Sequence, residues 1–322
     1  MRVWLVALAF AVSAGCVTRV PLATDYDGPS AWPADAITTE SDAGTLPLVA
    51  NAEHEADRRH FTVRQLGLGP SADDPSRSIE FEYYDVEGES RTPVVVLLPI
   101  FNGQLIVTRY FARYFANQGW AAVVVVRGRD AIDGLDTPNE TIRANLSDYQ
   151  RVLDWVEDEP ELDAGQIGLF GISFGAIDAV MLTALDDRID ALVVAMAGGD
   201  LPYVMMNTRY RPVARTVDDL LTDQGMTRDA LRAALVGRIA TDPLALAPYV
   251  DASKVLMIMT RTDVIVPFKA QEALRVRMGS PETLYLPTGH RPSVVYFPKL
   301  RSSAYEFFAR QFAASRVAVA AN

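Results

Sequence analysis

Two hydrophobic patterns alternate along the chain. Short apolar runs without polar interruption, "PVVVLLP" at 93–99 and "WAAVVVV" at 120–126, predict strands buried on both faces of a parallel sheet. Between them "TRYFARYFANQG" has helical spacing and ends at Gly119, a helix stop signal. "TIRANLSDYQRVLDWVED" predicts a second helix closing before Pro160, then "QIGLF" a strand, "GAIDAVMLTAL" a helix and "ALVVAMA" another strand. Upstream, "HFTVRQL" and "SIEFEYYDV" alternate with period two and read as half-buried strands.

The alternation pauses from about 200 to 250, a stretch rich in Met, Tyr and helix formers. It resumes with "KVLMIMT", the helix "PFKAQEALRVRMG", the strand "ETLYLP" and a last helix from about Val294 to Ala314. Strand–helix–strand repetition with continuous apolar strands predicts an α/β fold, a mostly parallel central sheet with helices on both faces. The pause reads as a helical lid insertion. Its Tyr203, Met205, Met206, Tyr210 and Met226 are either the wall of an acyl pocket or the packed face of the lid helices.

The first 59 residues follow neither pattern. "MRVWLVALAFAVSAGC" has Arg2, an apolar run from Val3 to Val12, and small residues ending at Cys16. The run suits a signal-peptide core and is too short to span a bilayer. The small residues before Cys16 resemble a bacterial lipoprotein cleavage box, in which the cysteine is diacylated and becomes the new N-terminus. Ser13 stands where that box usually has Leu, and "VSA" at 12–14 also fits ordinary signal-peptidase cleavage. Either reading predicts an exported protein; the first makes it a membrane lipoprotein facing the periplasm or cell exterior. Residues 17–59, Pro-, Asp- and Thr-rich without a sustained period, read as an extended tether or loosely packed arm. Residues 60–322 form the predicted catalytic domain.

Composition narrows the classes. With 322 residues, 49% of them hydrophobic, the chain can bury a substantial core. A formal net charge of −11 argues against nucleic-acid binding, which needs clustered cations. Cys16 is the single cysteine, so no internal disulfide or Cys-x-x-Cys motif exists. The three histidines, His54, His60 and His290, are scattered and no His-Glu-x-x-His occurs, which argues against a zinc site. The glycine-rich "GQIGLFGISFG" lacks Gly-Lys-Ser/Thr and the dinucleotide spacing.

Candidate chemistry centres on "GLFGISFGAIDA", 168–179, where Ser173 separates a buried strand from a helix. As structure alone it is a helix N-cap with glycines for close packing. A sharp strand-to-helix turn instead forces strained angles at the serine, admits only small neighbours such as Gly171 and Gly175, and lifts the hydroxyl above the carboxyl edge of the sheet. A serine nucleophile needs a base. His290, in "LPTGHRPS" after the last strand, is the one histidine downstream of Ser173. The imidazole needs a carboxylate: Asp263 in "TRTDVIVPF" follows a buried strand and precedes the histidine-bearing unit, with Asp200 in "MAGGD" as competitor.

Ser173, Asp263 and His290, in that order on alternating β/α units, resemble the α/β-hydrolase family. "GLFGISFGA" and "TRTDVIVP" are similar to its bacterial esterase, dienelactone-hydrolase and prolyl-oligopeptidase-like branches, over about Phe61 to Ala314. The resemblance implies an oxyanion hole made by the backbone N–H of Phe174 and a second donor after the third strand. In "LLPIFNGQ" that donor is Phe101 N–H, with Asn102 as alternative; many relatives carry His-Gly where this chain has Pro99-Ile100. It also implies a small-molecule ester or acyl substrate and no cofactor. The expectation is an exported, lipid-anchored serine hydrolase cleaving carboxylic esters. A peptidase or acyltransferase of the same fold, or a non-catalytic hydrolase-fold lipoprotein, are the alternatives.

Overall fold

The computed structural model describes residues 17–32, 52–53, 61–69, 78–88, 91–127 and 134–321. The signal-peptide and lipidation readings, Cys16 with them, and His54 and His60 fall outside these residues. In chain order the elements are β1 (Thr18–Val20), β2 (Ala52–Glu53), β3 (Phe61–Leu68), β4 (Ile79–Val86), β5 (Thr92–Leu98), α1 (Ile106–Asn117), β6 (Ala121–Val126), α2 (Thr137–Asp158), β7 (Leu162–Ile172), α3 (Phe174–Leu185) and β8 (Ala191–Ala195). Then follow α4 (Leu201–Asn207), α5 (Arg211–Asp223), α6 (Arg228–Arg238), α7 (Pro243–Leu246), β9 (Val255–Thr260), α8 (Phe268–Arg277), β10 (Glu282–Leu286) and α9 (Phe297–Ala321).

One ten-stranded sheet runs β1-β10-β9-β8-β7-β5-β6-β4-β3-β2. From β6 to β10 the pairings are parallel; β4, β3 and β2 continue one side antiparallel and β1 closes the other. This is the α/β-hydrolase fold. The apolar runs became the central strands because alternate residues face opposite layers. On β5, Val94, Val96 and Leu98 join Val152, Leu153 and Val156 of α2 and Val180 of α3. Val95 and Leu97 join Phe111 and Phe115 of α1 and Phe307, Phe308 and Phe312 of α9 on the other face. At about 25 cal/mol per Å² of apolar surface buried, these two layers are the main source of stability.

Between β8 and β9 the chain leaves the sheet for the helices α4 to α7, where the hydrophobic pattern pauses. Met205, Met206, Leu220, Leu231 and Leu235 from these helices are buried in the same core layer as α2 and α3.

The tether reading needs correcting for 17–32. Thr18–Val20 pairs antiparallel with β10, Thr18 opposite Tyr285 and Val20 opposite Thr283. The Tyr26 hydroxyl accepts the Ala252 N–H at 2.9 Å and donates to Asp251 at 3.2 Å; burial, ahead of the neighbouring carboxylates, pushes the phenol up to about 12. Trp32 stacks on Tyr249 with ring centroids 4.2 Å apart. Two isolated aromatics in a polar stretch supply the apolar contact that composition alone denied it, and β1 covers an edge strand otherwise open to pairing.

Candidate active site

β7 ends at Ile172 and α3 begins at Phe174, so Ser173 alone makes the turn. Its φ of 57° and ψ of −120° lie where a non-glycine residue costs about 1–3 kcal/mol. Three backbone bonds hold it there: Ser173 N–H donates to Ala195 O at 2.8 Å, and its carbonyl accepts from Ala176 at 3.0 Å and Ile177 at 3.1 Å. The turn closes only with glycine on both sides. A Cβ on Gly171 would collide with the Gly175 carbonyl, and one on Gly175 would lie 2.6 Å from Leu98 O and 2.7 Å from Pro99 O. The helix therefore starts pressed against the end of β5.

Asp263 lies in the loop after β9, with its side chain fully buried. Thr260 Oγ1 (2.7 Å), Ile265 N–H (2.8 Å), Val266 N–H (3.0 Å) and Gln271 Nε2 (3.1 Å) all donate to it. His290 Nδ1 stands 2.8 Å from Asp263 Oδ2. A carboxylate so surrounded is an acceptor, so Nδ1 carries the hydrogen and Nε2 keeps its lone pair. The β9 and β10 loops are joined by Arg261 N–H to Leu286 O and Thr262 N–H to Thr288 O, both at 3.1 Å. His290 and Ser173 line the same cavity of about 410 Å³. No direct hydrogen bond joins them among the described residues.

Asp200 is used otherwise. It is the N-cap of α4, accepting Tyr203 N–H at 3.1 Å, and faces Arg232 at 3.7 Å. Its own N–H donates to Asp242 at 3.1 Å, which also caps α7 through Leu244 N–H at 2.7 Å. Burial raises the Asp242 carboxyl above the usual range, against the pull of those backbone donors. Asp242 thus pins the start of the insertion.

Phe101 begins a tight turn, Phe101–Gly103, with Asn102 at a φ of 63° and Gly103 N–H bonded to Ile100 O at 3.0 Å. The Phe174 N–H, first of α3, has no acceptor within its helix by construction. The rings of Phe101 and Phe174 meet edge to face at 5.5 Å, which brings the two segments together beside Ser173.

Arg127, just past β6, was not legible as a site residue. Its guanidinium, 6% exposed, donates to Pro99 O at 3.3 Å and Ile100 O at 3.1 Å. It also donates to Asp178 Oδ2 at 2.9 Å and Tyr149 Oη at 2.6 Å, and covers the Phe174 ring at 4.8 Å. One buried cation therefore ties the loop after β5 to the helix that follows Ser173.

Two further cavities lie near the site, one lined by Ser173 and one by His290. An apolar one of about 100 Å³ under α4 and α5 is walled by Phe174, Ile177, Leu201, Val204, Met205 and Tyr210 among others. A cleft of about 810 Å³ borders His290. Of the lid candidates, Met205 and Tyr210 face the apolar cavity and Met206 is buried in the core. Tyr203 lies under Lys269, its ring centre 5.2 Å from Nζ. Among the described residues no three His, Cys, Asp or Glu side chains cluster as metal ligands, and no helix is long and apolar enough to cross a membrane.

Comparison with known proteins agrees with this architecture. The family model described as X-Pro dipeptidyl-peptidase (S15 family) matches residues 33–254. That span contains Ser173 and stops short of Asp263 and His290. A thiohydrolase from Eupenicillium brefeldianum is 23% identical over 67% of this chain and 86% of its own length. Among solved structures, the acetyl xylan esterase from Paenibacillus sp. R4 superposes with a TM-score of 0.63 at 18% identity, over 81% of this chain and 90% of its own. The acylaminoacyl peptidase of Pyrococcus horikoshii gives 0.57 at 18% identity, over 79% of this chain and 42% of its own.

Proposed function

Given that this chain belongs to the X-Pro dipeptidyl-peptidase (S15) family and is a serine hydrolase, we propose that it cleaves carboxylic esters through Ser173, His290 and Asp263. The observation that carries the reading is the buried Asp263 carboxylate 2.8 Å from His290 Nδ1, with His290 sharing a cavity with the strained Ser173. Ser173 Oγ attacks the acyl carbon while His290 Nε2 takes its proton. The N–H groups of Phe174 and Phe101 hold the oxyanion, a contribution of about 3–4 kcal/mol per donor in such sites. His290 returns the proton to the departing alkoxide, leaving an acyl-enzyme. Water, deprotonated by the same imidazole, releases the acid and regenerates Ser173.

Two arguments favour an ester over an N-terminal dipeptide. A dipeptidyl-peptidase must receive a free α-ammonium group, and among the described residues the three cavities around Ser173 and His290 expose no carboxylate lining. The apolar cavity suits an acyl chain. The proposal extends to location: the sequence through Cys16 supports export and diacylation, which the intact mass of the mature protein tests directly.

Labelling with a tagged fluorophosphonate tests the chemistry. Wild type is expected to label covalently, with labelling lost in Ser173→Ala and His290→Ala. A folded wild type that stays unlabelled would overturn the proposal in favour of a non-catalytic binding role.

A further inference from the structure

The His290 side of the site is unusually cationic for an acidic chain. Arg209, Arg211 and Arg291 line the cleft beside His290, and the rest of its described lining is Thr262, Val264, Ile265, Gly289 and Pro292, with no carboxylate. None of the three arginines forms an ion pair with a described residue, although Arg127, Arg188, Arg238, Arg275 and Arg310 each pair with an acid. With 41 acidic against 30 basic residues in the chain, three guanidinium groups that lack an acidic partner among the described residues set up a local positive field around one cleft.

Their position is fixed by the fold. Arg209 N–H donates to Val264 O at 2.7 Å, and Thr208 Oγ1 donates to Ile265 O at 2.7 Å, so the α4–α5 link is bonded to the loop that follows Asp263. Tyr210, between the two arginines, packs its ring on Phe101 at 5.4 Å and borders the apolar cavity. Arg291 follows His290 directly and lines both its cavity and the cleft. The cavity of Ser173 and His290 thus shares Phe101, Ser173 and Tyr210 with the apolar chamber, and His290 and Arg291 with the cleft of the arginines.

Mechanism decides which end of the substrate meets the arginines. The histidine must protonate the leaving oxygen, so the alcohol half lies on the His290 side. We propose that the enzyme is selective for esters whose alcohol carries an oxyanion, a carboxylate or a phosphate, bound by Arg209, Arg211 and Arg291, with an apolar acyl group in the apolar chamber. This rests on the Ser173–His290–Asp263 reading above. Arginine suits the task because its planar fork binds either oxyanion through paired hydrogen bonds.

The test compares three hexanoate esters that differ in the phenol released: 3-hydroxybenzamide, 3-hydroxybenzoate and 3-hydroxyphenyl phosphate. At low ionic strength kcat/KM for at least one anionic ester is expected to exceed that of the amide by about tenfold. The ratio should shrink as salt screens the cleft and approach one in the Arg209→Gln/Arg211→Gln variant, whose fold is checked by its thermal transition. A preference confined to the carboxylate or the phosphate identifies which oxyanion the cleft takes. Hydrolysis of all three esters without preference, or a preference that survives in the double variant, overturns the inference while leaving the hydrolase reading intact. Failure to hydrolyse any ester, together with absent fluorophosphonate labelling, removes the hydrolase reading and this inference with it.

Discussion

Two carboxylates have fully buried side chains, Asp263 beyond β9 and Asp178 on α3, the helix that Ser173 precedes. Burial of a charge is costly in either place unless it is paired and hydrogen-bonded. Asp178 faces Arg127 at 2.9 Å and the Tyr149 hydroxyl at 3.1 Å, a cation that keeps its proton at any working pH. Asp263 faces His290, the base of the proposed mechanism. The partner, not the burial, separates the roles. The arginine pair is a fixed brace between the loop after β5 and the start of α3. In the proposed mechanism the histidine pair changes charge once per turnover.

The sharpest way to break that contrast is Asp263→Asn. The Ile265 and Val266 N–H groups would keep the amide oxygen, turning its NH₂ toward His290 Nδ1. The imidazole would then present a hydrogen at Nε2 instead of a lone pair. A fall in kcat of about 10³–10⁴ is expected in ester hydrolysis, with folding retained. Activity within tenfold of wild type would mean that Asp263 orients the loop and not the base.

How much of this was readable in advance differs along the same line. The carboxylate, histidine and serine stood out because each follows an apolar strand in a β/α unit, where loops gather at one edge of the sheet. Arg127 did not, because one arginine at the end of "AAVVVVR" looks like a strand meeting solvent. Its partners Tyr149 and Asp178 sit on two helices that the sequence leaves unrelated. β1 was hidden for a similar reason: three residues gain strand geometry only from a partner at the far end of the chain. β7 begins at Leu162, earlier than the apolar run suggests, because its register against β5 slips between Thr92 and Val94 and takes in the polar stretch before Ile167. Local pattern reveals elements and loop positions; long-range polar pairing has no local period.

The brace makes its own prediction. Arg127→Met strands the Asp178 charge and frees the Pro99 and Ile100 carbonyls, which should cost about 3–5 kcal/mol in urea unfolding. Arg127→Met combined with Asp178→Leu removes the stranded charge and should recover part of that stability. The double variant should still show reduced kcat, because the turn carrying Phe101 has lost its anchor to α3. Full recovery of kcat along with stability would reduce Arg127 to a structural ion pair.

Gln271, on α8, separates the two kinds of contribution within the histidine side itself. Its amide donates to Asp263 Oδ2 at 3.1 Å and to Val266 O at 2.8 Å, while its oxygen accepts Thr260 N–H at 3.2 Å. It is fully buried, so it fixes the Asp263 carboxylate without reaching substrate. Gln271→Leu should therefore cost about 1–3 kcal/mol of stability by leaving buried polar groups unmatched, and should lower kcat less than Asp263→Asn because the carboxylate remains. Gln271→Glu keeps the acceptor for Thr260 but sets a second acid beside Asp263, and should harm activity more than Gln271→Leu at the same stability. If the two variants are equally active, the carboxylate is held by Thr260 and the Ile265 and Val266 amides alone, and the histidine side is less finely braced than the arginine side.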